Sequence, residues 1–193
     1  MHNLTKTLVF FSCVIFSTAC CALTITSDDN GQVTLPNNQL TIGSMAPPVT
    51  LTTGDYKKKT IGGATGKVQI ISTIESFNTS VCDEQTMLIN KAAKQLKNVT
   101  ISIVTTNQPF IVDAFQKQHK INNINVLSAF NDPSFGMNYG VQVIGGQLTG
   151  ITARAVFVVN KQGKIIYKEI TNNIDHALNL KAATLAAKKA DAE

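Results

Sequence analysis

The spacing of apolar residues predicts a single α/β domain, a mixed central sheet with helices on both faces and a β-hairpin at its N-terminal end. Three observations carry this reading. Residues 68–73 (VQIIST), 100–105 (TISIVT) and 155–159 (AVFVV) are short β-branched runs of the kind that form buried strands. A stripe with helical period lies between the first two, which suits a crossover connection. The third run is followed by a Lys161-Gln162-Gly163 turn and residues 164–169, an antiparallel hairpin rather than another crossover. At 193 residues, 44% hydrophobic and 15% charged, the chain is long enough to bury one core.

In order along the chain, residues 32–35 and 39–42 alternate around Pro36-Asn37-Asn38 and predict the small hairpin. Residues 49–52 and 59–61 predict a strand and its partner across Gly54-Asp55. The run from Gly62 to Gly66 is a loop and not a phosphate cradle, because Lys67 is followed by Val68 where such a cradle needs Ser or Thr. A helix is expected over 81–96, with Val81, Gln85, Leu88, Ile89, Ala92, Ala93 and Leu96 on one stripe. Ser80 and Asp83 form a capping pair that puts Cys82 in its first turn. Asn107 and Pro109 open a second helix ending near Gln118, Val126 and Leu127 make a weak strand, and residues 175–189 close the chain as an alanine-rich helix. This order fits a thioredoxin-like core.

The start of the chain points to export. Residues 1–6 are short and basic, residues 7–19 (TLVFFSCVIFSTA) are apolar, and small residues follow, as in a secretory signal peptide cleaved after Ala22. The apolar run is shorter than the ~20 residues a spanning helix needs. Residues 1–22 are therefore expected to be removed, leaving a single domain over 23–193, exported to a bacterial periplasm; Cys20, after Ser17-Thr18-Ala19, offers the alternative of a lipid anchor. Removal takes one lysine and no acid, so the net charge falls from +5 to +4. The lysines are scattered without interleaved aromatics, which argues for solvated surface and against nucleic acid.

Cysteine arithmetic then singles out one residue. Cys13, Cys20 and Cys21 lie in the expected leader, so the mature chain keeps Cys82 alone, and its thiol is intermolecular, reactive or merely buried. A thiol attacks as its thiolate, and an unperturbed cysteine, with a pKa of about 8.5, is ionised to only a few per cent at neutral pH. The first turn of a helix supplies unpaired N–H groups and the positive end of a dipole, which favour a sulfur anion there. Thr79, three residues before Cys82, can hold a thiolate and its reaction partner together with its hydroxyl, or simply cap the helix beside Ser80. Arg154, the one arginine of the chain, opens an apolar strand; it is either a structural ion-pair partner or a stabiliser of charge developing on a leaving oxygen. His2, His119 and His176 are too dispersed for a metal site, and the latter two read as surface helix residues.

Together these residues resemble the thiol peroxidase branch of the peroxiredoxins, from about Gly31 to the final helix. The segment ESFNTSVC at 75–82 is similar to the family's Pro-x-x-x-Thr-x-x-Cys loop, with Thr79 and Cys82 on its threonine and peroxidatic cysteine. Residues 107–110 (NQPF), 127–141 (LSAFNDPSFGMNYGV) and 145–159 (GGQLTGITARAVFVV) resemble later family segments in order and put Arg154 on the active-site arginine.

The resemblance implies a thioredoxin-like three-layer sandwich and a thiol peroxidase that needs no cofactor or metal. Cys82 would reduce hydrogen peroxide or organic hydroperoxides and become a sulfenic acid, with Thr79 positioning the peroxide and Arg154 polarising the breaking bond. Family members are often dimers. Two departures stand out. The family's resolving cysteine aligns with Gln116, so recycling calls for an external thiol, a thioredoxin-like reductant or a neighbouring subunit's Cys82. The family proline is Glu75, and a carboxylate so near the sulfur opposes its ionisation. The competing expectation is a thioredoxin-fold envelope or binding protein that has lost catalysis.

Overall fold

The computed structural model of the chain describes residues 22–77, 80–96 and 98–193, with Ser80 described by its backbone alone. The expected leader, with Cys13, Cys20 and Cys21, lies outside these residues apart from Ala22, as does Thr79. Strands β1 (Leu23–Ser27) and β2 (Gly31–Leu35) pair antiparallel as a separate two-stranded sheet. The main sheet has seven strands: β3 (Val49–Thr53), β4 (Lys58–Ile61), β5 (Gln69–Thr73), β6 (Thr100–Thr105), β7 (Asn125–Ser128), β8 (Ala155–Val159) and β9 (Ile165–Ile170). Their spatial order is β4-β3-β7-β6-β5-β8-β9, with β5, β6 and β7 parallel and the remaining pairs antiparallel. Helices α1 (Ser80–Ala93), α2 (Pro109–Gln118), α3 (Ser134–Asn138) and α4 (Leu180–Ala192) complete the fold.

Strand alternation sorts the core into two layers. Ile70, Ile101, Ile103, Val126, Val156 and Val158 join an apolar cluster with Cys82 and Ile89 of α1, Val112 and Phe115 of α2, and Ala183 and Ala187 of α4. Their neighbours Ile71, Val104, Leu127 and Phe157 belong to a second cluster, with Phe135 and Tyr139 from α3 and its end. The sandwich is therefore thioredoxin-like, with three helices on one face and a short helix on the other. Val33 and Leu35 of the hairpin pack with Val143, Ala153 and Ile174, which fastens the hairpin to the domain.

The hairpin corrects the sequence expectation. Residues 39–42 are not a strand; the partner of 31–35 is Leu23–Ser27, reached through a tight turn in which Gly31 takes φ 69°. Pro36 follows immediately after β2 and cannot donate to a ladder. Ile42 is exposed, whereas Leu40 packs on the second cluster. The first helix ends at Ala93, short of Leu96, because Gln95 and Leu96 donate to carbonyls only three residues back. The last helix starts at Leu180 rather than Asp175, capped by Asn179, whose Oδ1 accepts from the Ala182 N–H at 3.0 Å. Asp175 instead accepts from the Ser27 hydroxyl and the Asp28 N–H, tying the hairpin to the approach to α4.

Candidate active site

The approach to Cys82 is built from polar groups that fix a short loop. After β5, the Ile74 N–H donates to the Val104 carbonyl at 3.0 Å, and the Thr152 hydroxyl donates to the Ile74 carbonyl at 3.1 Å. Asn107, just before α2, accepts from the Phe77 N–H at 3.1 Å and donates to the Ser76 hydroxyl at 3.3 Å. It is itself held by Thr105 and by the Ser128 hydroxyl, which donates to its carbonyl at 2.6 Å. The Phe77 ring stacks on Phe115 of α2 with centroids 3.8 Å apart. These contacts set where α1 begins. Cys82 is the third residue of that helix and is fully buried, with its side chain in the apolar cluster.

The guanidinium of Arg154 enters from the start of β8, where Ala155 pairs with Thr73. Only 1% of the residue is exposed, so its charge must be matched inside the protein. Nε donates to the Ile174 carbonyl at 2.9 Å, Nη1 to Gln85 Oε1 at 2.9 Å and Nη2 to Glu75 Oε1 at 3.1 Å. Gln85 lies three residues beyond Cys82, which puts the two on one helix face. Its amide nitrogen donates in turn to the Ser72 hydroxyl at 2.9 Å and the Thr73 carbonyl at 3.2 Å. Ser72 donates to the Ala155 carbonyl, so the network closes on the strands that carry it.

Glu75 is 7% exposed. Burial pushes its carboxyl above the ordinary value, and the nearby charge of Asp175 adds to this, while Arg154 pulls the other way.

The redoxin family profile matches residues 41–185, three quarters of the chain. The chain belongs to the redoxin family. Among curated proteins it is similar to the thiol peroxidase of Aquifex aeolicus, 35% identical over 147 residues covering 76% of this chain and 86% of the relative. It is also similar to the thiol peroxidase of Campylobacter jejuni, 36% identical over 152 residues covering 79% and 86%. A solved peroxiredoxin-like protein from Aquifex aeolicus superposes with a TM-score of 0.81 at 32% identity, covering 86% of this chain and 96% of that one. Within the family the chain falls on the thiol peroxidase branch of the peroxiredoxins, as a variant without the resolving cysteine.

In this redoxin, two of the three expected site residues fall among the described residues: Cys82 on α1, and Arg154, which reaches that helix one turn further on through Gln85. Thr79 lies outside them. Gln116 is half-buried on α2 and lines an open cleft with Asp55, Asp113, Lys117 and Lys120. Gln85 and Asn107 were missed as site residues. Gln85 counts as one more member of the α1 stripe, yet a polar side chain in a buried stripe three residues after a candidate nucleophile is itself a signal. Asn107 gave a weaker one, since an asparagine before a helix is commonplace.

His176 is exposed, as expected, but neither it nor His119 lies within a helix. His119 is the half-buried C-cap of α2, its ring 4.4 Å from Phe115, and His176 lies in the turn before α4, 3.9 Å from Asp28. Among the described residues no group of three His, Cys, Asp or Glu side chains could hold a metal.

Proposed function

We propose that this redoxin works as a one-cysteine thiol peroxidase, with Cys82 as nucleophile, Arg154 as the charge that steadies sulfur and departing oxygen, and Thr79 as the hydroxyl that positions the peroxide. One observation carries the assignment of roles: a buried guanidinium bonded to Gln85, one turn along the helix whose first turn holds Cys82. The amides at that helix start and the guanidinium together favour an anion in a site shielded from water. The curated relatives bear the name thiol peroxidase, which favours a working enzyme over a scaffold that has lost activity.

The Cys82 thiolate attacks the terminal oxygen of ROOH; the O–O bond breaks, a sulfenic acid forms, and RO⁻ leaves and takes up a proton. Sulfur is oxidised and the peroxide reduced. A first external thiol condenses with the sulfenic acid to a mixed disulfide and water, and a second attacks the first thiol's sulfur, forming an external disulfide and releasing Cys82 as its thiol. Two outside thiols are needed because Gln116 stands where the branch places its resolving cysteine.

The substrate class is a hydroperoxide and the reductant a small thiol or a thioredoxin-like protein. Export by the leader at residues 1–22 to a bacterial periplasm, with a lipid anchor at Cys20 as the variant, is supported by the basic start and apolar run alone. A homodimer is part of the same proposal, on the habit of the family.

The test is direct. Protein comprising residues 23–193 is mixed with hydrogen peroxide and a small thiol, and peroxide loss is followed against Cys82→Ser. Faster loss than this control, with oxidation confined to Cys82 by mass spectrometry, is expected; equal rates overturn the proposal.

A further inference from the structure

The ion pair in the site joins a residue that stands where the branch has proline to its sole arginine. The guanidinium offers five N–H donors around one positive charge, and Glu75, Gln85 and Ile174 already accept from it. Glu75 is the one anion among these acceptors, and its oxygen accepts from Nη2 at 3.1 Å in a pocket from which water is largely excluded. When Glu75 is ionised, it and Arg154 neutralise each other there. Ionising Cys82, one helical turn before Gln85, would add a second anion for that one cation to serve.

We propose that Glu75 is a positioning residue for the peroxidase reaction: it decides, through Arg154, how much positive charge the Cys82 sulfur receives. The proposal rests on the functional reading above. Two arrangements hold a single anion beside the guanidinium, Glu75 ionised with Cys82 as thiol and Glu75 protonated with Cys82 as thiolate, and they differ by the place of one proton. With Glu75 ionised, Nη2 is committed to a carboxylate; with Glu75 protonated, the charge of Arg154 is open to the sulfur or to the oxygen leaving it. The sites are therefore linked, and whatever favours the proton on Glu75 favours the thiolate by the same factor.

The charged groups facing Glu75 are Arg154 from β8 and Asp175 from the approach to α4, with Cys82 on α1 as the titratable group of the site. Asp175 is engaged by Ser27 and Asp28 of the hairpin turn. Its negative charge works with burial to hold the proton on Glu75. The hairpin thus takes part in the tuning through Asp175.

The experiment reads sulfur reactivity rather than turnover. Alkylation of Cys82 by iodoacetamide is followed against pH in the wild type, Glu75→Gln and Glu75→Asp. Glutamine can keep the hydrogen bond to Arg154 but carries no charge, so its rate profile should move to lower pH, raising the rate below the midpoint about tenfold for each unit of displacement. Aspartate should restore the wild-type profile. A Glu75→Gln profile that coincides with the wild type overturns the proposal.

Because the glutamine variant leaves a buried guanidinium without a counter-ion, a second measurement uses the wild-type sequence. Cys82 is labelled to completion with iodoacetamide, giving a neutral adduct, or with iodoacetate, giving an anionic one, and the Glu75 carboxyl is titrated by carbon-13 NMR. The anionic adduct should make Glu75 hold its proton to higher pH; equal titrations overturn the linkage. If the wild type alkylates as expected but destroys no peroxide, the functional reading fails while the linkage stands. Peroxide destruction with no effect of Glu75 fails the linkage alone.

Discussion

The first turn of α1 and the middle of α2 border the same apolar cluster, yet their polar groups are treated in opposite ways. On the Cys82 side, Arg154 has three acceptors and Gln85 bonds on both sides of its amide within a dry interior, and the half-buried Asn107 pins the loop. Around Gln116 the side chains are charged, solvated and open: Asp113 and Lys117 form a helix-surface pair at 2.6 Å, and Asp55 and Lys120 flank the cleft. Buried networks hold geometry because a missing partner is costly; surface pairs of this kind contribute little. On the proposed function, the residues that would carry the oxidising half of a thiol cycle are held in place, and the reducing half is left to an external thiol.

Arg154→Met should break that comparison most severely. It leaves Glu75 buried without its cation, and removing one member of a buried pair costs about 3–5 kcal/mol. The peroxide rate should fall by about 10²–10³-fold through the lost charge stabilisation. Denaturant unfolding of Arg154→Met beside Glu75→Leu/Arg154→Met separates the two effects: the double variant should recover most of the stability and none of the rate. A double variant as unstable as the single one would mean that packing of the arginine, and not its charge, holds this end together.

Gln116→Cys sharpens the contrast from the other side by giving the open region the missing thiol. After one equivalent of peroxide, a disulfide between positions 82 and 116 should form at an effective thiol concentration on the order of millimolar, shortening the life of the sulfenic acid without added reductant. Cys82 is fully buried, so the bond requires the first turn of α1 to open. Peptide mapping under non-reducing conditions detects it. A sulfenic acid as long-lived as that of the wild type would mean that the helix start stays closed.

Legibility in the sequence follows the same division. The strands at 100–105 and 155–159 match the structure residue for residue, because a buried strand in a mixed sheet is a continuous β-branched run with little else to confuse it. The hairpin partner was misplaced because two alternating segments, 23–27 and 39–42, flank the same strand, and alternation does not say which is kept; the packing of Ile25 against Val33 and Ile174 decides. Helix α3 spans five residues, too few to show a period. Cys82 and Arg154 were legible as unusual residue types in unusual places. Their connection through Gln85 and Glu75 was not, because it joins positions 69 and 79 residues apart that only the sheet brings together.

The smallest expected effect concerns stability against pH and bears on the same pair. Burial makes the folded chain hold the Glu75 proton more tightly than the unfolded chain, where the group titrates near 4.5. Between those two values the native state binds the extra proton, so this contribution to stability is fully present below the unfolded value and is lost as pH rises through the folded one. Its slope is at most that of one proton, about 1.4 kcal/mol per pH unit. Asp55, pulled down to about 2 chiefly by its hydrogen bond to Lys57, works in the opposite sense, its contribution disappearing as pH falls toward that value. The two effects therefore occupy separate windows. Urea midpoints of the wild type should decline across the upper window, and those of Glu75→Gln, which has no proton to lose there, should decline less by up to that slope. Parallel midpoints would mean that Arg154 outweighs burial and keeps Glu75 ionised throughout, which would place the carboxylate permanently on the guanidinium and leave the sulfur to the helix start alone.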